Sequence, residues 1–274
     1  ASESENALPD LDRQYQSNVP GLYVVGQLSG YPLIKQAMNQ GQDVVDFIAG
    51  NVILPADHSL ITNRLGGIYP DMTADEALDY IHAKIPLLSA VSPIAFRELM
   101  IESRLVLSGE WASRLDKSIN GVGVPMVKKN GDFLLRAGDF VNRFYLIVEG
   151  DVSLRLDDAA SWELAEAGSF FGESCLFAGR QQQSSVVIGS NSVIVEIPRR
   201  ILIKLANSNQ SVRSRIDLAF VFGIVKVYFK PKIVDSQLLE LCQTLRTHTF
   251  EAGESLYEEG AIRRLPLFAS LRND

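Results

Sequence analysis

Phe133-Leu134-Leu135-Arg136-Ala137-Gly138-Asp139, then Phe144-Tyr145-Leu146-Ile147-Val148-Glu149-Gly150-Asp151-Val152, then Phe171-Gly172-Glu173-Ser174-Cys175-Leu176-Phe177 follow one another along the chain, and their reading decides the fold. In the first, a short apolar run stops at Ala137-Gly138-Asp139, which has the composition of a turn. In the second, the run Phe144 to Val148 stops at Glu149-Gly150-Asp151, another turn. Beyond it Val152, Leu154 and Leu156 alternate with Ser153, Arg155 and Asp157, the period of a half-buried strand. Val193, Val195 and Ile197 alternate again before Pro198. Short strands joined by glycine turns predict a small jelly-roll barrel.

Helices flank this region on both sides. Ser92 followed by Pro93 has the form of an N-cap and first helical residue, with Phe96, Leu99, Met100 and Ser103 continuing one face. Thr73-Ala74-Asp75-Glu76 has the spacing of a capping box and predicts a helix over 74–83, with Ala77, Leu78 and Ile81 on one face. Pro55, Gly66, Gly67 and Pro70 punctuate the surrounding stretch, which reads as a linker over 52–86. On the far side, Ile216, Ala219, Phe220, Gly223, Ile224 and Val227 recur at helical spacing. Leu218, Val221, Phe222 and Val225 make that helix apolar nearly all round, so it is expected to be buried on several sides.

Near the N-terminus, Leu22-Tyr23-Val24-Val25 closed by Gly26 reads as a buried parallel strand. A helix is expected after it, with Pro32 in its first turn and Leu33, Ile34, Ala37, Met38, Val44, Val45 and Ile48 at helical spacing. Strand, tight glycine turn and helix N-terminus together form a type of site that takes anions.

Bulk composition narrows the function. With 46% hydrophobic and 22% charged residues, the chain has the make-up of a globular protein. A net charge of −7 over 274 residues argues against nucleic acid, which needs a basic face. No apolar run reaches the length of a membrane span, and residues 1–10 have no signal-peptide core. The two cysteines, Cys175 and Cys242, form no CxxC pair, which fits a reducing cytoplasmic compartment. The three histidines, His58, His82 and His248, offer no catalytic set and no metal spacing. Neither catalytic nor metal-ligating residues are therefore expected.

The three stretches quoted first, in that order, resemble the cyclic-nucleotide-binding domain family. The resemblance implies that Phe171, Gly172, Glu173, Ser174 and Cys175 open a phosphate-binding cassette in which a short helix presents backbone N–H groups to a cyclic phosphate and Glu173 accepts from the ribose hydroxyl. It further implies an arginine near the cassette's end, followed by small polar residues. Here that arginine position falls on Gln182 or Gln183, depending on gap placement, and Ser184 and Ser185 keep the small polar character. The charge-assisted arginine–phosphate contact is the strong bond of such a site, whereas a glutamine supplies neutral hydrogen bonds of roughly 1 kcal/mol each. Arg180 is the nearest cation in sequence. The cassette is thus degenerate, and a cyclic nucleotide is the ligand class the resemblance brings with it.

Pro20-Gly21-Leu22-Tyr23-Val24-Val25-Gly26-Gln27, continuing from Tyr31-Pro32-Leu33-Ile34 to Gly41, resembles the C-terminal flavin motif of thioredoxin-reductase-like, FAD-dependent pyridine-nucleotide oxidoreductases. On that resemblance Gly26, Gln27, Leu28, Pro32, Leu33 and Ile34 belong to an FAD site, although Gln27 stands where the family has an aspartate that touches FAD. No GxGxxG occurs in the chain. FAD is therefore expected in a longer protein and not in this chain alone. The chain alone is expected to be inactive, and the whole protein an FAD-dependent NAD(P)H oxidoreductase.

Ser255-Leu256-Tyr257-Glu258-Glu259-Gly260 echoes Phe133 to Gly138, which suggests the truncated start of a second barrel. The expected architecture is α+β: a small β jelly-roll barrel flanked by helices, with an N-terminal strand-helix remnant of an α/β flavoprotein domain. The expected divisions are a flavoprotein remnant over 1–51, a linker with a short helix over 52–86, a cyclic-nucleotide-binding-like domain with its C-terminal helix over 87–229, and the second barrel's start over 230–274. The function expected is a regulatory sensor module fused to the oxidoreductase. The alternative is an oxidoreductase fragment whose barrel is only a scaffold or protein-interaction domain. Expected partners are the upstream oxidoreductase domains, a small-molecule effector and a second copy joined through the 211–229 helix, with no nucleic acid and no membrane.

Overall fold

The computed structural model describes residues 9, 11–29, 34–51, 58–65, 67–115, 124–156, 163–172, 181–182, 184–208, 212–218, 221–222 and 242. The chain divides into two compact units, residues 1–217 and 218–274. The first unit carries α1 (Ile34–Ile48), α2 (His58–Leu65), α3 (Ala74–Ala83), α4 (Pro93–Glu102), β1 (Arg104–Leu107), α5 (Gly109–Ser113), β2 (Met126–Val127), β3 (Phe133–Leu135), β4 (Arg143–Glu149), β5 (Asp151–Leu156), β6 (Glu163–Glu166), β7 (Phe170–Phe171), β8 (Ser184–Ile188), β9 (Val193–Pro198) and α6 (Arg199–Ser208). The strands form two sheets, one in the order β2-β1-β9-β4-β7 and the other β3-β8-β5-β6. All described pairings are antiparallel except β1 with β2.

Successive residues of a strand point to opposite faces, and here they sort into two separate cores. Leu105 and Leu107 of β1, Phe144, Leu146 and Val148 of β4, and Val193, Val195 and Ile197 of β9 pack with the helices. Val106, Tyr145, Ile147 and Ile194, one residue out of step, pack with Leu135, Val152, Val186 and Ile188 between the two sheets. The alternation seen in β9 therefore does not mark a half-exposed strand. Both of its faces are covered, one by helices and one by the second sheet. Full burial of each such aliphatic side chain contributes about 1.5–3 kcal/mol, against about 1 kcal/mol for a helix cap, so burial dominates.

The helix layer starts where its caps say. Thr73 accepts from the Glu76 N–H at 3.3 Å while the Glu76 carboxylate accepts from the Thr73 N–H at 2.8 Å, the expected capping box. Ser92 accepts from the Ala95 N–H, with Pro93 at the first helical position. The stretch read as a linker holds more than one short helix: Ile61 and Leu65 of α2, with Ile68 and Tyr69, are buried in the same core as α3 and the barrel. From α2 the Arg64 guanidinium donates to the Met100 and Ser103 carbonyls, both at 2.7 Å, closing the C-terminus of α4. Burial holds the Arg64 pKa below its ordinary value, with nearby Glu102 opposing the shift.

The N-terminal expectation needs correction. Leu22 to Val25 is no buried parallel strand: it joins an antiparallel bridge between Gln16 and Tyr23, and Val19 and Leu22 are each half exposed. Local bonds account for this geometry. The Asp12 carboxylate accepts from the Gln14 and Gln16 N–H groups, and the Val24 N–H donates to the Tyr15 carbonyl, turning the chain back on itself. A single-turn 3₁₀ helix, Gly26–Ser29, follows. The described part of α1 begins at Ile34, and Pro32 and Leu33 lie outside the described residues. Of the apolar 211–229 segment, residues 212–218 and 221–222 are helical, and its remainder, like the repeat around Ser255, lies outside the described residues. Among the described residues no helix is long and apolar enough to cross a membrane.

Candidate functional site

The described residues on either side of the cassette, up to Gly172 and from Gln181 on, are each held to the barrel. At the outgoing end, Phe171 lies against Tyr145 of β4 with ring centroids 4.8 Å apart and planes 3° apart. Gly172 follows at φ +84°, and a Cβ there would come within 2.9 Å of the Arg143 carbonyl oxygen and 3.1 Å of the Tyr145 ring. Only glycine fits that conformation and that approach.

At the returning end, Gln181 bridges to Phe140, the Gln182 N–H donates to the Asp139 carbonyl, and the Gly138 N–H donates to the Gln182 carbonyl, the last two at 2.8 Å. The Gln182 side chain is 5% exposed and donates through Nε2 to Ser184 Oγ at 2.9 Å. Ser185 Oγ accepts from the Ala137 N–H at 3.1 Å. Ser184 and Ser185 stand in β8 rather than in a loop. Ser184 shares the face of Val186 and Ile188, which points between the sheets, and Ser185 the opposite one. The neutral residues at the position of the missing guanidinium thus stitch the chain's return to the 137–140 turn. Glu173, Ser174, Cys175, Arg180 and Gln183 lie outside the described residues.

Next to the outgoing end is a charge cluster that the sequence reading did not single out. Arg104 of β1 and Tyr145 of β4 flank Glu196 of β9 in register, so the row Arg104, Glu196, Tyr145, Phe171 crosses the sheet on its inner face. The Glu196 side chain is only 7% exposed. It accepts from Arg143 Nη1 and lies 3.9 Å from Arg104 Nε. A buried carboxylate is strongly unfavourable unless paired, and here its cations come from the strands on either side. The signal in the sequence is a lone carboxylate inside the apolar run Val193 to Pro198.

Of the residues assigned to FAD by resemblance, Gly26, Gln27, Leu28 and Ile34 are among the described residues. The Gly26 N–H donates to Gln40 Oε1 at 2.6 Å, and Ser29 Oγ donates to the same oxygen at 2.9 Å. Leu28 is 66% and Ile34 80% exposed, and Gln27 is exposed beside them. The Gly26 amide is thus engaged within the chain.

Residues 126–209 match the family model of the cyclic nucleotide-binding domain. The chain is 26% identical over 139 residues to a cGMP-dependent protein kinase of Plasmodium berghei (strain Anka), covering 49% of this chain and 15% of that protein. It thus spans only a small part of the length of this relative. Among solved structures, it is similar to the sensor domain of the transcriptional regulator DNR from Pseudomonas aeruginosa (14% identity, TM-score 0.41, 65% of this chain and all of that one). It is also similar to the Thermus thermophilus catabolite activator protein (16% identity, TM-score 0.39, 53% of this chain and 61% of that one).

Proposed function

We propose that this cyclic nucleotide-binding domain is a regulatory module that takes a small anionic effector of the cyclic-nucleotide class through a cassette lacking its guanidinium. The observation that carries the reading is the joint anchoring of the cassette: its two ends are fixed to β4 and to the 137–140 turn of a barrel matching that family's model. An effector bound there would favour one arrangement of the segment between those anchors, and only a difference in affinity between two states can transmit a signal. The route outward is short. β9 runs directly into α6, whose Leu202 and Leu205 sit in the core shared by the barrel and the helix layer.

The controlled partner in this proposal is an FAD-dependent pyridine-nucleotide oxidoreductase in the same longer protein. Its support is the resemblance of residues 20–41, together with the outward apolar side chains of α1: Ile34, Met38, Val45 and Ile48 are all exposed. Such a stripe needs cover. The second reading, a barrel that is only a scaffold, is favoured by the mutual satisfaction of Gln182 and Ser184.

Calorimetric titration with cyclic AMP and cyclic GMP separates the two. Saturable binding of either by the native chain supports the sensor. No heat from either nucleotide, in the native chain and in a Gln183→Arg variant of native melting temperature, leaves the scaffold. Flavin absorbance of the longer protein tests the fusion.

A further inference from the structure

The anion contact that Gln182 and Gln183 do not supply has a second source on the inner face of the sheet that carries Phe171. Arg104 and Arg143 converge on one carboxylate, Glu196. A purely structural pair needs one cation for one buried acid, and this site has two. Each guanidinium carries several N–H donors in a rigid fork, more than the lone pairs of a single carboxylate can take from both. Glu196 is buried, whereas the Arg143 and Arg104 side chains are 40% and 42% exposed. The acid therefore fixes the two forks from below and leaves donors facing solvent, with a local excess of one positive charge in a chain of net charge −7. The cluster also adjoins the cassette. Gly172, at the cassette's mouth, packs on the Arg143 carbonyl, and Tyr145, two residues along from Arg143 on the same face, stacks on Phe171.

We infer that Arg104 and Arg143, oriented by Glu196, form an anion subsite for a phosphate group where β1 and β4 begin and β9 ends. Resting on the function proposed above, the phosphate is that of the nucleotide effector. Glu196 acts as a positioning residue and the two arginines as the ligand contacts.

The test is titration of the native chain and of Arg143→Gln, Arg104→Gln, Arg143→Lys and Glu196→Gln with cyclic GMP, cyclic AMP and inorganic phosphate, at low and high salt. The two Arg→Gln changes are expected to weaken nucleotide binding at least about tenfold, and Arg143→Lys less, because it keeps the charge but not the fork. Glu196→Gln keeps an acceptor oxygen that holds the guanidinium forks in place and removes only the competing negative charge, so it is expected to tighten binding several-fold and to steepen its loss with salt. A residue with a merely structural role would weaken binding when changed, so the sign at Glu196 is decisive and holds even where Arg143→Gln does not fold. Unchanged nucleotide affinity in Arg143→Gln and Arg104→Gln, with native circular dichroism, would overturn the subsite and leave the effector reading standing. Arginine-dependent binding of inorganic phosphate with no nucleotide binding would uphold the anion subsite and overturn the nucleotide. No binding of any of the three probes would overturn both.

Discussion

The Tyr80 hydroxyl of α3 donates to the Glu149 carboxylate at the end of β4, joining the helix layer to the turn between β4 and β5. Lys84 completes the contact, with Nζ 3.5 Å from the same carboxylate and 5.1 Å from the centre of the Tyr80 ring. Tyr69, edge-on to Tyr80, lies on its other side. A bond to a charged acceptor contributes more than a neutral one, so Tyr80→Phe is expected to lower stability by about 1–2 kcal/mol, read from the urea midpoint at neutral pH.

The same contact sets a limit at high pH. The Tyr80 pKa is raised, first by its bond to Glu149 and then by burial, and that of Lys84 is raised, first by its bond to Tyr80 and then by Glu149. Burial raises the Tyr69 pKa further, with Glu149 and Tyr80 adding to it. Folded pKa values above the unfolded ones mean that the folded state holds protons longer. This stabilisation is complete below the unfolded values of about 10 and is lost as pH rises through the folded ones. Urea midpoints should fall above about pH 10, and less steeply in Tyr80→Phe than in the native chain.

At the other end of the scale the start of α3 should weaken in acid. Glu76 is held below the usual carboxylate range, first by the Thr73 backbone N–H and then by its hydroxyl. A depressed carboxylate stabilises above its unfolded pKa and loses that contribution as pH falls through the folded one. Thr73→Ala is expected to lower stability by about 1 kcal/mol at neutral pH and to flatten the acid limb of the melting-temperature profile.

Two turn glycines make a controlled comparison. Gly150 sits at φ +74°, and a Cβ there would lie 2.1 Å from the Asn191 carbonyl oxygen, whereas Gly138, at φ +88°, has nothing within 4 Å of that point. Gly138→Ala carries only the left-handed penalty of about 1–2 kcal/mol. Gly150→Ala adds a backbone clash and should cost about 3 kcal/mol or more. Equal losses in thermal melts of the two variants would contradict the packing of the 189–192 turn against this glycine.

How much of this was readable beforehand varies by element and has physical causes. β4 and β5 were legible because an apolar run and a period-two run meet at Glu149-Gly150-Asp151. β1 was not, since its four residues follow α4 directly and Ser103 still bonds the Leu99 carbonyl, so the helical pattern hides the change of period. β8 was obscured because Ser184 and Ser185 read as the cassette's end rather than as a strand. Leu22 to Val25 shows the reverse error: a run that short does not reveal whether a sheet exists to receive it, and here local turns captured it. In the candidate site, Gly172 and Gln182 could be located from sequence, but the bonds that tie down Gln182 come from Gly138, Asp139 and Ser184. Arg104, Arg143 and Glu196 lie far apart in the chain and are brought together only by strand register.

In the function proposed above, the barrel accepts an anionic nucleotide without the cassette's guanidinium. The most direct test of that function is the dissociation constant of cyclic GMP and cyclic AMP measured by calorimetry for the native chain and for Gln183→Arg, because Gln182 is already buried and bonded to Ser184. Saturable but weak binding by the native chain is expected, tightened about tenfold by the added guanidinium. Absence of binding in both proteins, each folded by circular dichroism, would contradict it.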